Sequence, residues 1–392
     1  MVQRLSWCLG ILAMILTTGS LRADWSLTTA DFATTKRITI NQWSLKEGLS
    51  YTTEDSKLAT LPTRQLAQVT LDTPPATGEA KWQLTLRSGD VLRGEPLTII
   101  TQGAGSLTFK TSELPLLEIP LKNIASLAAT DAKATNANTL SDKDELRFRT
   151  GDTLQGMLVG LDDGKISMQS DLGSTEVKLE NVDLLTFGGA TPARSIPTLS
   201  ARLSFVSGST LTTRNFSWTL GKITFTDPAG QERNCTADQL VSIRVLGGRI
   251  VWLTELDVAK EEQTSLFGTR WPLQVNRNVI GGPLLLAGTR FDRGLGVHTR
   301  SVLTYNLDGS FTNFTLRCGL DDSAAPHGQA NLSIALDGKV LWEAKAMKAG
   351  QISPALNLPI TDGRTLELRA APADKLDVLG RVNWVDVVLV RP

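Results

Sequence analysis

The chain has 392 residues, and its 40 lysine and arginine residues equal its 40 aspartate and glutamate residues in number. This length predicts two or more domains, because a single hydrophobic core stops growing well below it. The charge balance removes the electrostatic argument for a nucleic acid or an anionic membrane surface as a partner.

The N-terminal 23 residues have the pattern of an export signal. Arg4 supplies positive charge, the apolar run Leu9–Leu16 is too short to span a bilayer, and Ala23 offers a small residue for cleavage. An uncleaved N-terminal anchor is the alternative. After Ala23 no apolar run is long enough to cross a membrane. We therefore expect a periplasmic or extracellular protein without a membrane span once the signal is cleaved.

Four related segments follow. Near its end each carries an amide residue followed by an aliphatic residue, and successive aliphatic residues are 58 positions apart: Leu66, Ile124, Val182 and Leu240. A fixed period of this length predicts an array of similar structural units. The predicted units are 24–73, 80–130, 142–189 and 200–249. The stretches 128–141 and 188–200 are rich in small and polar residues or proline and are predicted linkers.

Within each unit the pattern predicts short β-strands. A central segment alternates apolar and polar residues, at 49–51, 107–109, 166–168 and 223–225. The last three units begin with a strand, a turn at Gly89, Gly151 or Gly208, and a second strand. The first unit has Ala30 and Asp31 near this place and is degenerate.

A unit of about five short strands is typical of a small antiparallel barrel or sandwich. In outline, with a hairpin, a central strand, a short linker and a final strand, it resembles the Sm-like small barrels. A continuous β-stack in which neighbouring units share strands is the alternative, since a period alone does not separate the two. Many Sm-like barrels bind RNA, but a neutral, exported chain does not fit that role.

Asp90 and Asp152 each follow the glycine of a predicted hairpin turn. Two recurring carboxylates could form a catalytic pair. However, Gly-Asp is common turn chemistry, and Ser209 takes the same place in the fourth unit. We interpret both aspartates as turn residues.

Two cysteines remain after cleavage, Cys235 and Cys318. An exported pair can form a disulfide. Here Cys318 continues an apolar alternation, and Cys235 occupies a position that is aliphatic in the other three units. We therefore expect both to pack as free, buried residues.

Residues 250–392 have a different pattern. Alternating segments recur without an amphipathic helix between them, and Asp337-Gly338 marks a two-residue hairpin turn. This pattern predicts an antiparallel β-sandwich of jelly-roll type. The predicted fold class of the whole chain is all-β, with tandem small barrel-like repeats followed by a jelly-roll sandwich.

Four motifs in this region resemble the NPCBM family of carbohydrate-binding modules. They are the segments 294–298 (GLGVH), 318–322 (CGLDD), 336–339 (LDGK) and 383–386 (NWVD). The resemblance covers about a third of the chain and implies a jelly-roll domain that binds glycan outside the cytoplasm. The family tends to carry aspartate before the late tryptophan, where this chain has Asn383.

A sugar offers an apolar face to an aromatic ring and hydroxyl groups to polar side chains. The candidate carbohydrate-binding residues are Trp271, His298, Trp342 and Trp384. The alternative for each tryptophan is a place in the core. The alternative for His298 is a hydrogen-bonded structural role.

Asp321 and Asp322 follow a strand end and are a candidate calcium site, because calcium prefers oxygen ligands. By family resemblance, such modules often hold a structural calcium ion. A loop stabilised by bonds from these side chains to the backbone explains the same residues.

The sequence shows no catalytic constellation. His298 and His327 are its two histidines, and it contains no Ser-His-Asp context, metal-binding cluster or phosphate loop. We predict a non-catalytic exported protein that binds a glycan or polysaccharide through its C-terminal module. The alternative is an envelope or surface scaffold that contacts other envelope proteins and has no sugar ligand.

Overall fold

The computed structural model describes residues 24–30, 33–73, 80–114, 116–132, 142–171, 173–189, 198–264, 268, 270–373 and 379–392. Throughout these ranges the regular elements are β-strands and short 3₁₀ helices. The predicted all-β class is confirmed. The predicted export signal and most of both predicted linkers lie outside the described residues. No helix in the described part of the chain is long and apolar enough to cross a membrane.

Each of the four repeats contains one set of strands. The first has β1 (Trp25–Thr29), β2 (Thr34–Ser44), β3 (Gly48–Thr52), β4 (Leu58–Leu61) and β5 (Leu66–Leu71). The second has β6 (Trp82–Leu86), β7 (Val91–Ile100), β8 (Ser106–Lys110), β9 (Leu117–Pro120) and β10 (Ile124–Ala129). The third has β11 (Asp144–Phe148), β12 (Thr153–Asp162), β13 (Lys165–Ser170), β14 (Gly173–Lys178) and β15 (Val182–Thr186). The fourth has β16 (Ser200–Phe205), β17 (Thr210–Thr213), β18 (Phe216–Thr219), β19 (Lys222–Thr226), β20 (Glu232–Thr236) and β21 (Leu240–Leu246).

The strands of every unit pair in the same order. The first strand pairs with the second and with the last. The second pairs with the third and the third with the fourth, and β17 and β18 together take the place of the second strand in the last unit. Each unit thus has its own set of strands, and strands of different units also pair within one 21-stranded sheet. Its likeness to Sm-like barrels stays a prediction.

The repeated sequence positions have repeated backbone roles. A 3₁₀ helix precedes the last strand of each unit, at Thr63–Gln65, Leu121–Asn123, Leu179–Asn181 and Ala237–Gln239. Its final residue is the repeated amide residue. The carbonyl of that residue accepts a bond from the backbone N–H just after the first strand, at 2.7 to 3.0 Å in the four units. The amide position therefore closes each unit. The degenerate first unit keeps this bond, although Asp31 lies outside the described residues.

The Gly-Asp motifs form turns. In the second unit the Leu86 N–H donates to the Asp90 carbonyl at 2.8 Å, and Gly89 has a φ of 84° that favours glycine. The Ser88 hydroxyl also bonds the Asp90 carboxylate at 3.0 Å. The Thr150 hydroxyl bonds Asp152 in the same way at 2.9 Å. These contacts are those of turn residues.

The units associate in two equivalent pairs, the first with the fourth and the second with the third. In both pairs the last strands lie antiparallel with the same register, which aligns Val69 with Ile243 and Leu127 with Leu185. A second strand contact aligns Trp43 with Trp218 between the first and fourth units. One hydrophobic cluster runs through all four units. The array is therefore one packed body.

The C-terminal domain is a two-sheet sandwich. Its strands are β22 (Ile250–Trp252), β23 (Lys260–Gln263), β24 (Gln274–Val275), β25 (Leu284–Leu286), β26 (Thr289–Phe291), β27 (Gly294–His298), β28 (Ser301–Asn306), β29 (Asn313–Leu320), β30 (Gln329–Leu336), β31 (Lys339–Lys348), β32 (Leu356–Pro359), β33 (Thr365–Pro372) and β34 (Arg381–Val390). The first sheet has the order β24-β27-β34-β29-β32, with β22 beside β34, and the second has the order β23-β28-β33-β30-β31. Their inner faces enclose a hydrophobic core. A separate hairpin, β25–β26, lies outside both sheets.

The sandwich packs directly on the array. The backbone N–H of Arg249 donates to the carbonyl of Arg64 in the first unit at 2.8 Å. Ile250 and Val388 share a small hydrophobic cluster with Ala67 of that unit. The two bodies are thus joined by packed contacts as well as by the chain.

The two described cysteines are free and buried, as predicted. Cys235 lies in the array core and Cys318 in the sandwich core. Burial raises the pKa of each thiol to about 12, so both stay protonated at neutral pH.

Candidate functional site

The first motif, GLGVH, forms β27, whose two faces have different roles. Leu295 and Val297 point into the sandwich core. On the other face, a Cβ atom added at Gly296 would lie 2.3 Å from the Arg277 carbonyl oxygen, and one at Gly319 would lie 2.5 Å from the Gln351 carbonyl oxygen. These glycines let two loops lie directly on the outer face of the first sheet.

Asp321 holds these loops in place. Its side chain is 1% exposed. Its carboxylate accepts hydrogen bonds from the Asn278 amide at 3.2 Å, the Leu285 backbone N–H at 3.3 Å and the Asn383 amide at 2.7 Å. The backbone N–H of Ser323 donates at 3.1 Å, and its hydroxyl donates as well. A carboxylate with this many donors is fully satisfied by the protein.

Asn383 lies opposite Gly296 and Gly319 in the central strand β34 and is fully buried. Its Nδ2 donates to Asp321, whereas its Oδ1 has no hydrogen-bond partner in the described residues. The departure from the family pattern thus places an amide, and not a second carboxylate, beside Asp321. This pairing avoids two adjacent buried negative charges.

Asp322 has a separate contact, since its Oδ2 accepts a 2.8 Å bond from the backbone N–H of Gly288. Both aspartates therefore make the loop-stabilising bonds that the second interpretation of the sequence expects. Among the described residues no group of three His, Cys, Asp or Glu side chains could hold a metal ion. Calcium at Asp321 and Asp322 stays a prediction.

Trp271 and His298 are brought together. Their rings are stacked, with centroids 5.5 Å apart and an angle of 15° between planes. The histidine is buried, with Nδ1 close to Thr299, while the indole is half-buried. The backbone N–H of Trp271 also bonds the Gln263 side chain at 2.7 Å. The histidine therefore supports one face of a ring that is partly open to solvent.

The other two candidate tryptophans lie elsewhere. Trp384 is fully buried in the sandwich core and presents no face to a ligand, so the structure does not place it in a binding site. Trp342 lies half-buried on β31, the edge strand of the second sheet. The half-buried Trp271, with His298 behind it, is the candidate that best fits a sugar platform.

Sequence patterns offer little sign of the residues that complete this region. Asn278 and Ser323 bond Asp321, and Arg381 lies opposite His298 in the sheet and bonds the Ser323 carbonyl at 3.0 Å. Asn278 precedes Gly281-Gly282, which marks a turn without indicating a partner. Only the fold joins these distant positions.

Residues 249–390 match the sequence model of the NPCBM/NEW2 domain. This part of the chain is an NPCBM/NEW2 domain. The resemblance predicted from the four motifs is confirmed for these residues, which we now call the NPCBM domain.

Similar proteins are known for parts of the chain. A Renibacterium salmoninarum protein named "Putative endo-alpha-N-acetylgalactosaminidase" is 32% identical over 91 residues, which are 23% of this chain and 6% of that protein. The chain thus spans only a small part of this relative. Among solved structures, a CBM51 from a Clostridium perfringens GH95 in complex with methyl-galactose is 19% identical, covering 36% of this chain and 99% of that one, with a TM-score of 0.33. Tandem CBM51 modules of a family 98 glycoside hydrolase from Streptococcus pneumoniae are 12% identical, covering 88% of both chains, with the same TM-score of 0.33.

Proposed function

We propose that the NPCBM domain binds carbohydrate and that the protein is an exported, non-catalytic glycan-binding protein. The observation that carries this proposal is the indole of Trp271, half-buried and stacked at 5.5 Å on His298. An aromatic ring that is stacked on a neighbouring ring loses little conformational freedom when a sugar packs on its other face.

The polar surroundings of this ring support the same function. The domain positions Gln263 and His298 against Trp271, and Arg381 lies opposite His298. Amide, imidazole and guanidinium groups can bond sugar hydroxyl groups at the edge of a stacked ring. The membership of residues 249–390 in the NPCBM/NEW2 family supports the carbohydrate class. The relative named for a glycosidase is also a protein of sugar chemistry.

Export and the absence of catalysis are the second part of the proposal. The pattern of residues 1–23 supports export, with cleavage after Ala23. The match to the glycosidase-named relative reaches only 6% of its length, so that relative's activity does not transfer to this chain. A module that docks on glycan outside the cytoplasm fits both features.

The test uses residues 24–392 on an array of bacterial, plant and animal glycans. We expect retention of at least one glycan, without release of reducing sugar over hours. Failure of the folded protein to retain any glycan would remove the binding function and favour an envelope scaffold. Release of sugar would instead show an enzyme.

A further inference from the structure

A large cleft lies between the repeat array and the NPCBM domain. Its volume is about 1350 Å³. Residues 88–90 of the second unit and Arg202 and Arg244 of the fourth line one side, and Trp252 and Arg293 of the NPCBM domain line the other. Small-molecule sites usually measure about 300 to 1,000 Å³. This cleft therefore has room for a short oligomeric ligand.

The cleft is cationic in a chain that carries no net charge. Seven lining residues are basic: Arg87, Lys122, Arg202, Arg214, Arg244, Arg290 and Arg293. Four are acidic: Asp90, Glu255, Asp292 and Asp386. This local excess of positive charge favours an anionic ligand.

Two half-buried arginines in the cleft share one carboxylate. Glu255 Oε1 lies 2.8 Å from Arg244 Nη1 and 3.8 Å from Arg293 Nη1. The guanidinium of Arg293 also lies 4.2 Å from the centroid of the Trp252 ring. Arg244 Nε and Arg293 Nη1 are buried and have no hydrogen-bond acceptor among the described residues. Buried donors of this kind normally have a partner. Both side chains reach the cleft, with exposed fractions of 25% for Arg244 and 14% for Arg293.

The electrostatics of these arginines agree with the geometry. Burial, and then the positive charge of Arg244, lower the pKa of Arg293 to about 9 against the opposing effect of Glu255. Burial also lowers the pKa of Arg244. With a pKa of about 9, Arg293 remains charged at neutral pH, at a desolvation cost that an incoming anion would offset.

Carboxylate is the anion that this wall fits best. Two guanidinium groups on facing bodies can bind a planar carboxylate through paired N–H donors. Between the charges the wall is rich in hydroxyl and amide groups: Gln68, Ser88, Asn123, Thr198, Ser200, Thr212, Thr254 and Asn276. We propose that the cleft binds an acidic oligosaccharide through a uronate carboxylate held by Arg244 and Arg293. This site is separate from Trp271 and goes beyond the proposed function of the NPCBM domain.

The test compares trigalacturonate with its trimethyl ester by titration calorimetry on residues 24–392. The ester keeps the sugar rings and removes the charges. We expect the acid to bind at least about tenfold more tightly than the ester, and to bind more weakly as salt is raised. Equal binding of acid and ester, or no binding of the acid, would overturn the proposal.

Variants locate the site. Arg293→Gln should abolish the preference for the acid, while the exposed pair Arg214→Gln and Arg290→Gln should each reduce it by about threefold without a risk to folding. Arg37→Gln removes an exposed charge that does not line the cleft and is the matched control. If Arg214→Gln and Arg290→Gln both leave acid binding unchanged, the site is refuted. This outcome does not depend on whether Arg293→Gln folds. Trp271→Ala should leave acid binding unchanged, so a failure here differs from a failure of the glycan site on the NPCBM domain.

Discussion

The side-chain amide of Asn383 lies 2.7 Å from the carboxylate of Asp321, and both groups are buried beneath the loops that cover the first sheet of the NPCBM domain. The amide carries no charge, but it donates a hydrogen bond to the carboxylate of Asp321. A second carboxylate in its place would repel that group. The two positions are therefore chemically coupled.

We expect Asn383→Asp to destabilise the domain by about 3 kcal/mol at pH 7, because it places two buried carboxylates side by side. The loss should shrink at pH 4, where one protonated carboxyl group can donate to the other. Urea unfolding at both pH values measures this. Asn357→Asp is the control, because that exposed amide uses its Oδ1 to accept a bond from Asn313, which a carboxylate can also do. Equal stability of Asn383→Asp and the wild type at pH 7 would contradict the coupling.

Asp321 itself distinguishes the two interpretations of the CGLDD motif. Asp321→Ala should cost about 3 kcal/mol, because it leaves the amides of Asn278 and Asn383 and the Ser323 and Leu285 N–H groups without their acceptor. The loop-stabilising interpretation predicts the same melting temperature in 1 mM calcium chloride as in chelator, because these donors already occupy the carboxylate. A calcium-dependent rise in the wild type that Asp321→Ala removes would show a calcium site here.

The sequence predicted the local features well and the long-range ones poorly. The period of 58 and the strand alternation predicted the short strands that each repeat contains, since both depend on neighbouring residues. The sequence left open whether Trp384 binds sugar or lies in the core, and the structure shows why: Val382, Asn383, Trp384 and Val385 are all buried. The covering loops exclude solvent from the outer face, so a strand pattern could not reveal that Trp384 lies in the core.

The sequence could not predict the hydrogen-bonded cluster around Asp321 or the cleft lined by Arg244 and Arg293, because both depend on contacts between distant residues. Asn278, Asp321 and Asn383 are far apart in the chain and meet only through the sheet order. Arg244 and Arg293 belong to different bodies, and their proximity depends on how the NPCBM domain packs on the array.

Trp271 should matter for sugar binding and little for folding. Trp271→Ala should lower the affinity for the best glycan on the array at least about tenfold, because it removes the stacking surface. Trp342→Ala, on the edge strand of the other sheet, is the control and should change the affinity less than about twofold. Affinities from calorimetry decide this, with melting temperatures to show that both variants fold. A larger loss in Trp342→Ala would move the site to the second sheet.

Gly296 tests the close approach of the loop to the sheet. A Cβ atom there would lie 2.3 Å from the Arg277 carbonyl oxygen and 2.6 Å from Asn278, so Gly296→Ala must displace the loop that carries Asn278. We expect a loss of about 2 to 3 kcal/mol in the free energy of unfolding. Unfolding in urea measures it. A variant as stable as the wild type would show that this loop can move without cost.

The ionisation of Asp386, a residue that lines the cleft, should affect the stability of the folded protein. Burial raises the pKa of its carboxyl group above the ordinary value of 3.8, while Arg317 and Arg293 oppose that rise and Asp292 adds to it. A carboxyl group whose folded pKa is raised favours folding when it is protonated, below pH 3.8, and that contribution is lost as the pH rises through the folded pKa.

Asp386→Asn should therefore stabilise the protein at pH 7 and make little difference at pH 3.5. The backbone φ of 51° at this position suits asparagine as well as aspartate. Urea unfolding at the two pH values checks the sign, and destabilisation at pH 7 would mean that the carboxylate gains more from Arg293 and Arg317 than its burial costs. Because Asp386 lines the cleft, the same variant should also bind trigalacturonate more tightly than the wild type.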